Sequence, residues 1–203
     1  MTARAAGAAW LLAGVAYVLC ETVAAQRYPG YSYARDYISA LGVPADSSSA
    51  TLMNAGAFVV HGVLFAVAGM LLTRSVRQSS RAWTVFAALT VTNGVGNVLV
   101  GLFHAGASPL HGLGALLAIV GGNTAMFLAG SLFRGLGAPR WFCVGSRLLG
   151  VVGIAGFVAL LAIAGRGTGV EGAVERGSVY TIIAWDLVAG LALLGRRRSP
   201  HSV

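Results

Sequence analysis

The chain has 203 residues, of which 57% are hydrophobic and only 10% are charged, and its formal net charge is +8. A water-soluble domain carries roughly a quarter charged residues, so this composition excludes a soluble globular protein and indicates a protein embedded in a membrane. The excess positive charge lies at the ends of apolar segments, where it sets membrane topology, so no nucleic-acid partner is expected and membrane lipids are the expected partners.

Six segments are apolar over close to the ~20 residues that a helix needs to cross a bilayer. None alternates with the period of two that a transmembrane barrel strand requires. The fold class is therefore predicted as all-α, a single domain over residues 1–203 built as a six-transmembrane-helix bundle. The predicted helices are Gly7–Ala25, Thr51–Thr73, Ala82–His104, His111–Phe133, Trp141–Ala164 and Tyr180–Gly195.

The first predicted helix follows Arg4 and ends in small residues, a pattern that a cleaved signal peptide shares. In a chain with several apolar segments we expect this helix to stay uncleaved. After it, residues 26–50 form the longest predicted outer segment, which includes the sequence RYPGYSYARDYISALG. Pro29 and Gly30 predict a turn there, and YARDYISALG predicts a short helix at the membrane surface.

On that surface helix Tyr33, Asp36 and Tyr37 would share one face. Tyrosines suit the headgroup layer, which is the simplest explanation for them. Alternatively, Asp36 and Ser39 extend into the mouth of a site and serve as candidate catalytic groups, with Tyr33 and Tyr37 as candidate binding residues.

Within the helices, polar residues concentrate in the half of the bundle next to the segment 26–50. Asp186 is predicted about 10 Å below the outer edge of the sixth helix, and His61 near the middle of the second. Such residues are costly in hydrocarbon and usually face a partner, a cavity or a substrate path. We therefore predict an outward-facing polar cavity, with these residues as candidate binding groups: Glu21, Asn54, Asn97 and His104.

The same residues also have structural interpretations. Asn93 and Asn97, four residues apart, would hydrogen-bond a neighbouring helix. His61 would be a core histidine whose hydrogen bonds are satisfied. Asp186 would pair with Arg147 in the fifth helix, or else meet a proton or a substrate.

The third and fourth helices are joined by the sequence FHAGASPLHG, in which His104 and His111 flank a turn. If the two rings converge with Asp36 or Glu21 as a third group, they form a candidate zinc site. Alternatively, His111 acts as a general base near neutral pH, or both histidines are ordinary interfacial residues.

These motifs resemble a family of bacterial and archaeal membrane proteins, domain of unknown function 998. The shared features are DYISALG after the first helix, a polar residue entering the second, and GLFH followed seven residues later by a histidine that opens the fourth. The resemblance implies a six-helix bundle over nearly the whole chain. The family's third helix usually ends in Phe-Pro, whereas Phe103 is followed here by His104, so Asp36, Ser39 and His111 fit the pattern better than His104 does.

The sequence is compatible with three classes of function. The leading hypothesis is a membrane protein whose outer cavity binds a lipid or another amphipathic molecule. The first alternative is a membrane-embedded lipid hydrolase or acid/base isomerase or cyclase, with Ser39 as nucleophile, His111 as base and Asp186 as buried acid. The second alternative is a small proton-coupled transporter with polar residues near the midplane.

Arginine positions predict the orientation. With the N-terminus inside, four arginines fall in outer segments and nine in inner ones, so both termini are predicted to be cytoplasmic. The chain has arginine and no lysine and is rich in Ala, Gly and Val, which suggests a GC-rich bacterial genome and the bacterial plasma membrane as location. The nine inner arginines are Arg4, Arg74, Arg77, Arg81, Arg134, Arg140, Arg196, Arg197 and Arg198.

Overall fold

The computed structural model describes residues 2–76 and 80–195, and in these ranges it is all-helical, without strands. Six helices are long and apolar enough to cross a membrane, which confirms the predicted six-helix fold class. They are α1 (Thr2–Gln26), α2 (Leu52–Ser75), α3 (Arg81–Leu102), α4 (Pro109–Gly135), α5 (Arg140–Ile163) and α6 (Glu171–Leu194).

The helices form a closed ring in which each packs against its neighbours in the chain and α1 packs against α6. Residues 27–51 lie across one end of the ring, which we call the capped end, and we call these residues the cap. The opposite, open end holds the turn at 136–139. Arg77 and Arg196–Arg198, on which part of the orientation argument rests, lie outside the described residues, and orientation stays a prediction.

Aromatic rings fill the half of the bundle nearer the open end. The ring centroids of Trp10 and Trp185 are 5.0 Å apart, and Phe65, Phe86 and Phe133 pack around them. Toward the lipid, α5 exposes large apolar side chains such as Leu161. An interior packed with aromatic residues and an apolar outer face are what a membrane bundle requires.

The main difference from the predicted elements is the start of α6, at Glu171 rather than Tyr180. The charged residues at 171–176 predict a loop, but Glu175 and Arg176 hydrogen-bond to the cap, and the helix continues through them. The predicted surface helix shortens to one 3₁₀ turn at Ile38–Gly42, and Tyr33, Asp36 and Tyr37 precede it. The first eight residues of α2, Leu52–Val59, are π-helical, a conformation common at functional sites.

Candidate functional site

A buried arginine on α6, Arg176, fixes the cap to the bundle. Its Nη1 donates hydrogen bonds to the backbone oxygens of Tyr33 and Asp36, at 2.8 and 3.0 Å. Its Nη2 donates to the Glu21 carboxylate of α1 at 3.0 Å and also contacts the Tyr31 hydroxyl. One guanidinium therefore joins α6, α1 and the cap.

Glu21, a predicted binding residue, is thus the charge partner of Arg176. The same carboxylate oxygen accepts a hydrogen bond from the Tyr180 hydroxyl at 2.9 Å. The rings of Tyr31 and Tyr33 flank the guanidinium, with centroids 5.5 and 4.7 Å from its Cζ. Burial raises the pKa of both Tyr31 and Tyr33, so these hydroxyls stay protonated at neutral pH. The charges of Glu21 and Arg176 are therefore paired and hydrogen-bonded, because an unpaired charge is costly to bury.

Asp36, a predicted catalytic residue, binds within the cap itself. Its carboxylate accepts hydrogen bonds from the Ser32 N–H at 2.7 Å and from Arg35 Nε at 3.2 Å. Partial burial alone would raise the pKa of Asp36, but these hydrogen bonds and the charge of Arg35 outweigh it, and the pKa is lowered. Asp36, Tyr33 and Tyr37 lie outside the cavity beneath the cap.

That cavity has a volume of about 50 Å³ and is walled by the cap and by every helix except α5. A buried water needs about 10–15 Å³, so the space holds a few waters. The walls are mainly apolar side chains such as Phe58 and Ile182. Polar groups from five helices and the cap also converge on it: Tyr17, Ser39, His61, Asn93, Asn97, His111 and Glu175.

Next to the cap, the cavity is lined by Ser39, His111 and Glu175. Glu175 accepts a hydrogen bond from the backbone N–H of Ile38, which is a second link between α6 and the cap. His111 Nδ1 lies 2.8 Å from the Phe103 carbonyl oxygen. Because a carbonyl only accepts, Nδ1 must carry the hydrogen, and in the neutral ring Nε2 is left as a proton acceptor. A carbonyl therefore orients His111, while Asp36 and Glu21, the carboxylates predicted as a third group beside the two histidines, are engaged elsewhere.

Deeper in the membrane, His61 lines the cavity and pairs with Asp186. His61 Nε2 and Asp186 Oδ2 are 2.9 Å apart, and the side chains are 3% and 0% exposed. His61 Nδ1 and Asp186 Oδ1 have no protein hydrogen-bond partner among the described residues. Because a buried polar atom without a partner is costly, water or a ligand group in the cavity is the expected partner of His61 Nδ1.

Asp186 therefore pairs with His61 and not with Arg147, whose Nη2 donates to the Ser131 hydroxyl at 2.8 Å. Asn93 Nδ2 donates to the Ala118 carbonyl of α4 at 2.7 Å, which confirms the predicted interhelical hydrogen bond. Asn97 instead bonds within its own helix, to Asn93.

Asn54, another predicted binding residue, links the π-helical turn of α2 to the cap. Its Nδ2 donates to the Gly42 carbonyl at 2.8 Å. His104 is not part of the cavity wall, and its Nδ1 is 2.9 Å from the Ala105 carbonyl. Within the part of the chain that the structure describes, no three His, Cys, Asp or Glu side chains are grouped to hold a metal. Zinc binding by His104 and His111 therefore stays a prediction without a third ligand.

Sequence reasoning missed the residues that attach the cap, namely Tyr31, Glu175, Arg176 and Tyr180. The signal was present, because GAVERGSVY places an acid and a base directly before an apolar run at the capped end. Glu21 lies at that same end of α1 and needed a cationic partner. A predicted sixth helix that began at residue 171 would have included Arg176, the cationic partner of Glu21.

Comparison with known proteins gives a family without an assigned activity. The family model described as "Protein of unknown function (DUF998)" matches residues 11–192. Searches of curated proteins and of solved structures found no significant match.

Proposed function

Since the chain belongs to the DUF998 family, whose description assigns no activity, we propose a function from the geometry alone: the protein binds the polar end of an amphipathic membrane molecule in the cavity beneath the cap. The observation that supports this is the convergence of seven polar side chains on one mainly apolar cavity inside a membrane bundle. Binding sites for small molecules commonly combine apolar walls with a few convergent polar groups.

Polar groups at both ends of the cavity suit such a ligand. Ser39 and His111 offer a hydroxyl and a ring nitrogen beside the cap, and His61 offers an unpartnered Nδ1 at the deeper end. A ligand hydroxyl or carbonyl can replace the few waters that fit there. The volume of about 50 Å³ limits the inserted part to a small polar group, unless the cap moves.

A groove on the lipid-facing side of the bundle suits the apolar part of the ligand. A second groove of about 250 Å³ lies between α1 and α6 and is lined by Val18, Glu21, Tyr33 and Tyr180, among others. Ile183 lines both this groove and the cavity, so the two spaces border each other at this residue. A molecule whose chain lies in the groove would reach the cavity past Ile183.

We also propose a location for this binding. The arginine asymmetry favours an outer face for the cap, and the composition favours the plasma membrane of a bacterium. The ligand would then enter from the outer leaflet.

Native mass spectrometry of the protein released gently from detergent tests the proposal. Leucine at Ala115, which lines the cavity on α4, would occupy its space. Ala159→Leu is the matched control, because Ala159 is exposed to lipid on α5 at a similar distance from the capped end. We expect wild type and Ala159→Leu to carry a bound molecule and Ala115→Leu, with an unchanged melting temperature, to lose it.

Two outcomes would contradict the proposal. One is a bound molecule that Ala115→Leu retains at wild-type occupancy, which would place it outside the cavity. The other is wild-type protein that carries no bound molecule even after incubation with membrane lipid extract.

A further inference from the structure

At the open end of the bundle, three arginines border one groove between α4 and α5. The groove has a volume of about 260 Å³, and Arg134, Arg140 and Arg147 lie around it. The rest of its wall is small or apolar: Gly130, Ala138, Cys143 and Val144. It lies at the opposite end of the bundle from the cavity beneath the cap and shares no residue with it.

These arginines have no acidic partner among the described residues. The chain has six Asp and Glu residues. Five of them belong to the cap or to the capped ends of α1 and α6, and the sixth, Asp186, pairs with His61. The one side-chain hydrogen bond that the structure describes for these three arginines joins Arg147 to the neutral Ser131 hydroxyl. Three cations around one groove without a neutralising carboxylate favour an anionic ligand.

Backbone packing brings the arginines together. Arg147 lies seven residues into α5, about 10 Å from the first turn that holds Arg140. A Cβ added at Gly130 of α4 would lie 2.6 Å from Arg147 Cγ and 2.5 Å from the Cys143 carbonyl oxygen. Gly130 therefore allows α5 and the stem of Arg147 to lie directly against α4, where Arg147 and Arg134 border the same groove.

The groove opens toward lipid. Val144 in its wall is 43% exposed, and on neighbouring faces of α5 Trp141 and Leu148 are 65% and 59% exposed. Exposed tryptophan at a helix end is typical of the headgroup layer, and exposed leucine further along the helix is typical of the acyl region. The arginines thus lie at the depth where a phospholipid phosphate meets its acyl chains.

We propose that this groove binds the phosphate of an anionic phospholipid headgroup. The guanidinium groups of Arg134, Arg140 and Arg147 donate to the phosphate oxygens, for which the planar fork of arginine is well suited. The first N–H groups of α5 add positive partial charge on the same side. The acyl chains lie along the exposed apolar side chains of α5.

The test uses full-length protein in detergent with added phosphatidylglycerol or phosphatidylcholine, and counts bound lipids by native mass spectrometry. The groove variant is Arg134→Gln, Arg140→Gln, Arg147→Gln. Its control is Arg4→Gln, Arg74→Gln, Arg81→Gln, which removes the same charge at the same end of the bundle, away from the groove. We expect the groove variant to lose about tenfold or more in apparent affinity for phosphatidylglycerol, while the control stays within about twofold of wild type.

If the groove variant fails to fold, Arg134→Gln and Arg140→Gln replace it singly, because both side chains are exposed at helix ends. Each should weaken phosphatidylglycerol binding severalfold. Equal losses in the groove and control variants would overturn the proposal, since they would show only general attraction to positive charge. Equal affinity for the two lipids would also overturn it, as would displacement of the lipid by millimolar inorganic phosphate, which would make free phosphate the ligand.

Discussion

At the scale of single residues, the pair of His61 and Asp186 shows how this bundle accommodates ionisable side chains in hydrocarbon. The two groups come from α2 and α6, and neither side chain is more than 3% exposed. The rings of Tyr17 and Phe65 pack against His61, with centroids 5.4 and 5.7 Å away. Replacing one partner would leave the other buried and unpaired. Replacing both by apolar residues would require only that the neighbouring side chains repack.

This difference predicts the outcome of a double-mutant cycle. We expect His61→Leu and Asp186→Leu each to destabilise the protein by about 3–5 kcal/mol, and the double variant to be more stable than either. Thermal unfolding in detergent, followed by circular dichroism, measures the difference. Additive losses in the double variant would mean that the two side chains do not depend on each other.

At the scale of elements, the first turns of α6 do more than cross the membrane. Gly172 lets α6 approach the cap so closely that a Cβ there would lie 2.2 Å from the Asp36 carbonyl oxygen. The backbone N–H of Ala173 donates to the Ala34 carbonyl at 2.9 Å, and Arg176 lies one turn further along. Glu175, on the same turns of α6, lines the cavity next to the cap.

The close approach predicts an effect confined to the cap. We expect Gly172→Ala to destabilise the contact between cap and helix by about 1–3 kcal/mol and so to speed hydrogen exchange at 32–38 by about 5- to 150-fold. Gly177→Ala is the control, because a Cβ there has no neighbour within 4 Å. In an exposed helical position that change should be neutral or stabilise by about 0.5–1 kcal/mol. Equal exchange in both variants would show that Gly172 does not hold the cap.

At the scale of the whole molecule, the number and order of the helices could be predicted because each apolar run fits the bilayer by length alone. The start of α6 could not, since hydropathy treats Glu175 and Arg176 as loop residues and ignores partners elsewhere in the chain. Glu21 and Asp186 could be identified from the sequence as acids that are costly to bury in a membrane, but their partners could not be predicted. The partner of Glu21 lies 155 positions away, and only the packing of α1 against α6 brings it close.

Charge is distributed unequally between the two ends of the molecule, and this predicts its orientation. The acids concentrate at the capped end, whereas Arg4, Arg74, Arg81, Arg134 and Arg140 lie at the open end. Arginine near helix ends is retained on the cytoplasmic side during insertion, while Asp and Glu have little effect. The cap should therefore face away from the cytoplasm.

Cysteine labelling in intact cells measures this orientation. Cys20 and Cys143 are both free and would first be replaced by alanine. Ser48, exposed on the cap, and Ser80, exposed at the open end, would then be changed singly to cysteine. Because a membrane-impermeant maleimide reaches only the outer face, we expect it to label Ser48→Cys in intact cells and Ser80→Cys only after lysis. The reverse pattern would place the arginine groove in the outer leaflet, away from the anionic lipids of the cytoplasmic one, and would contradict the arginine rule for this chain.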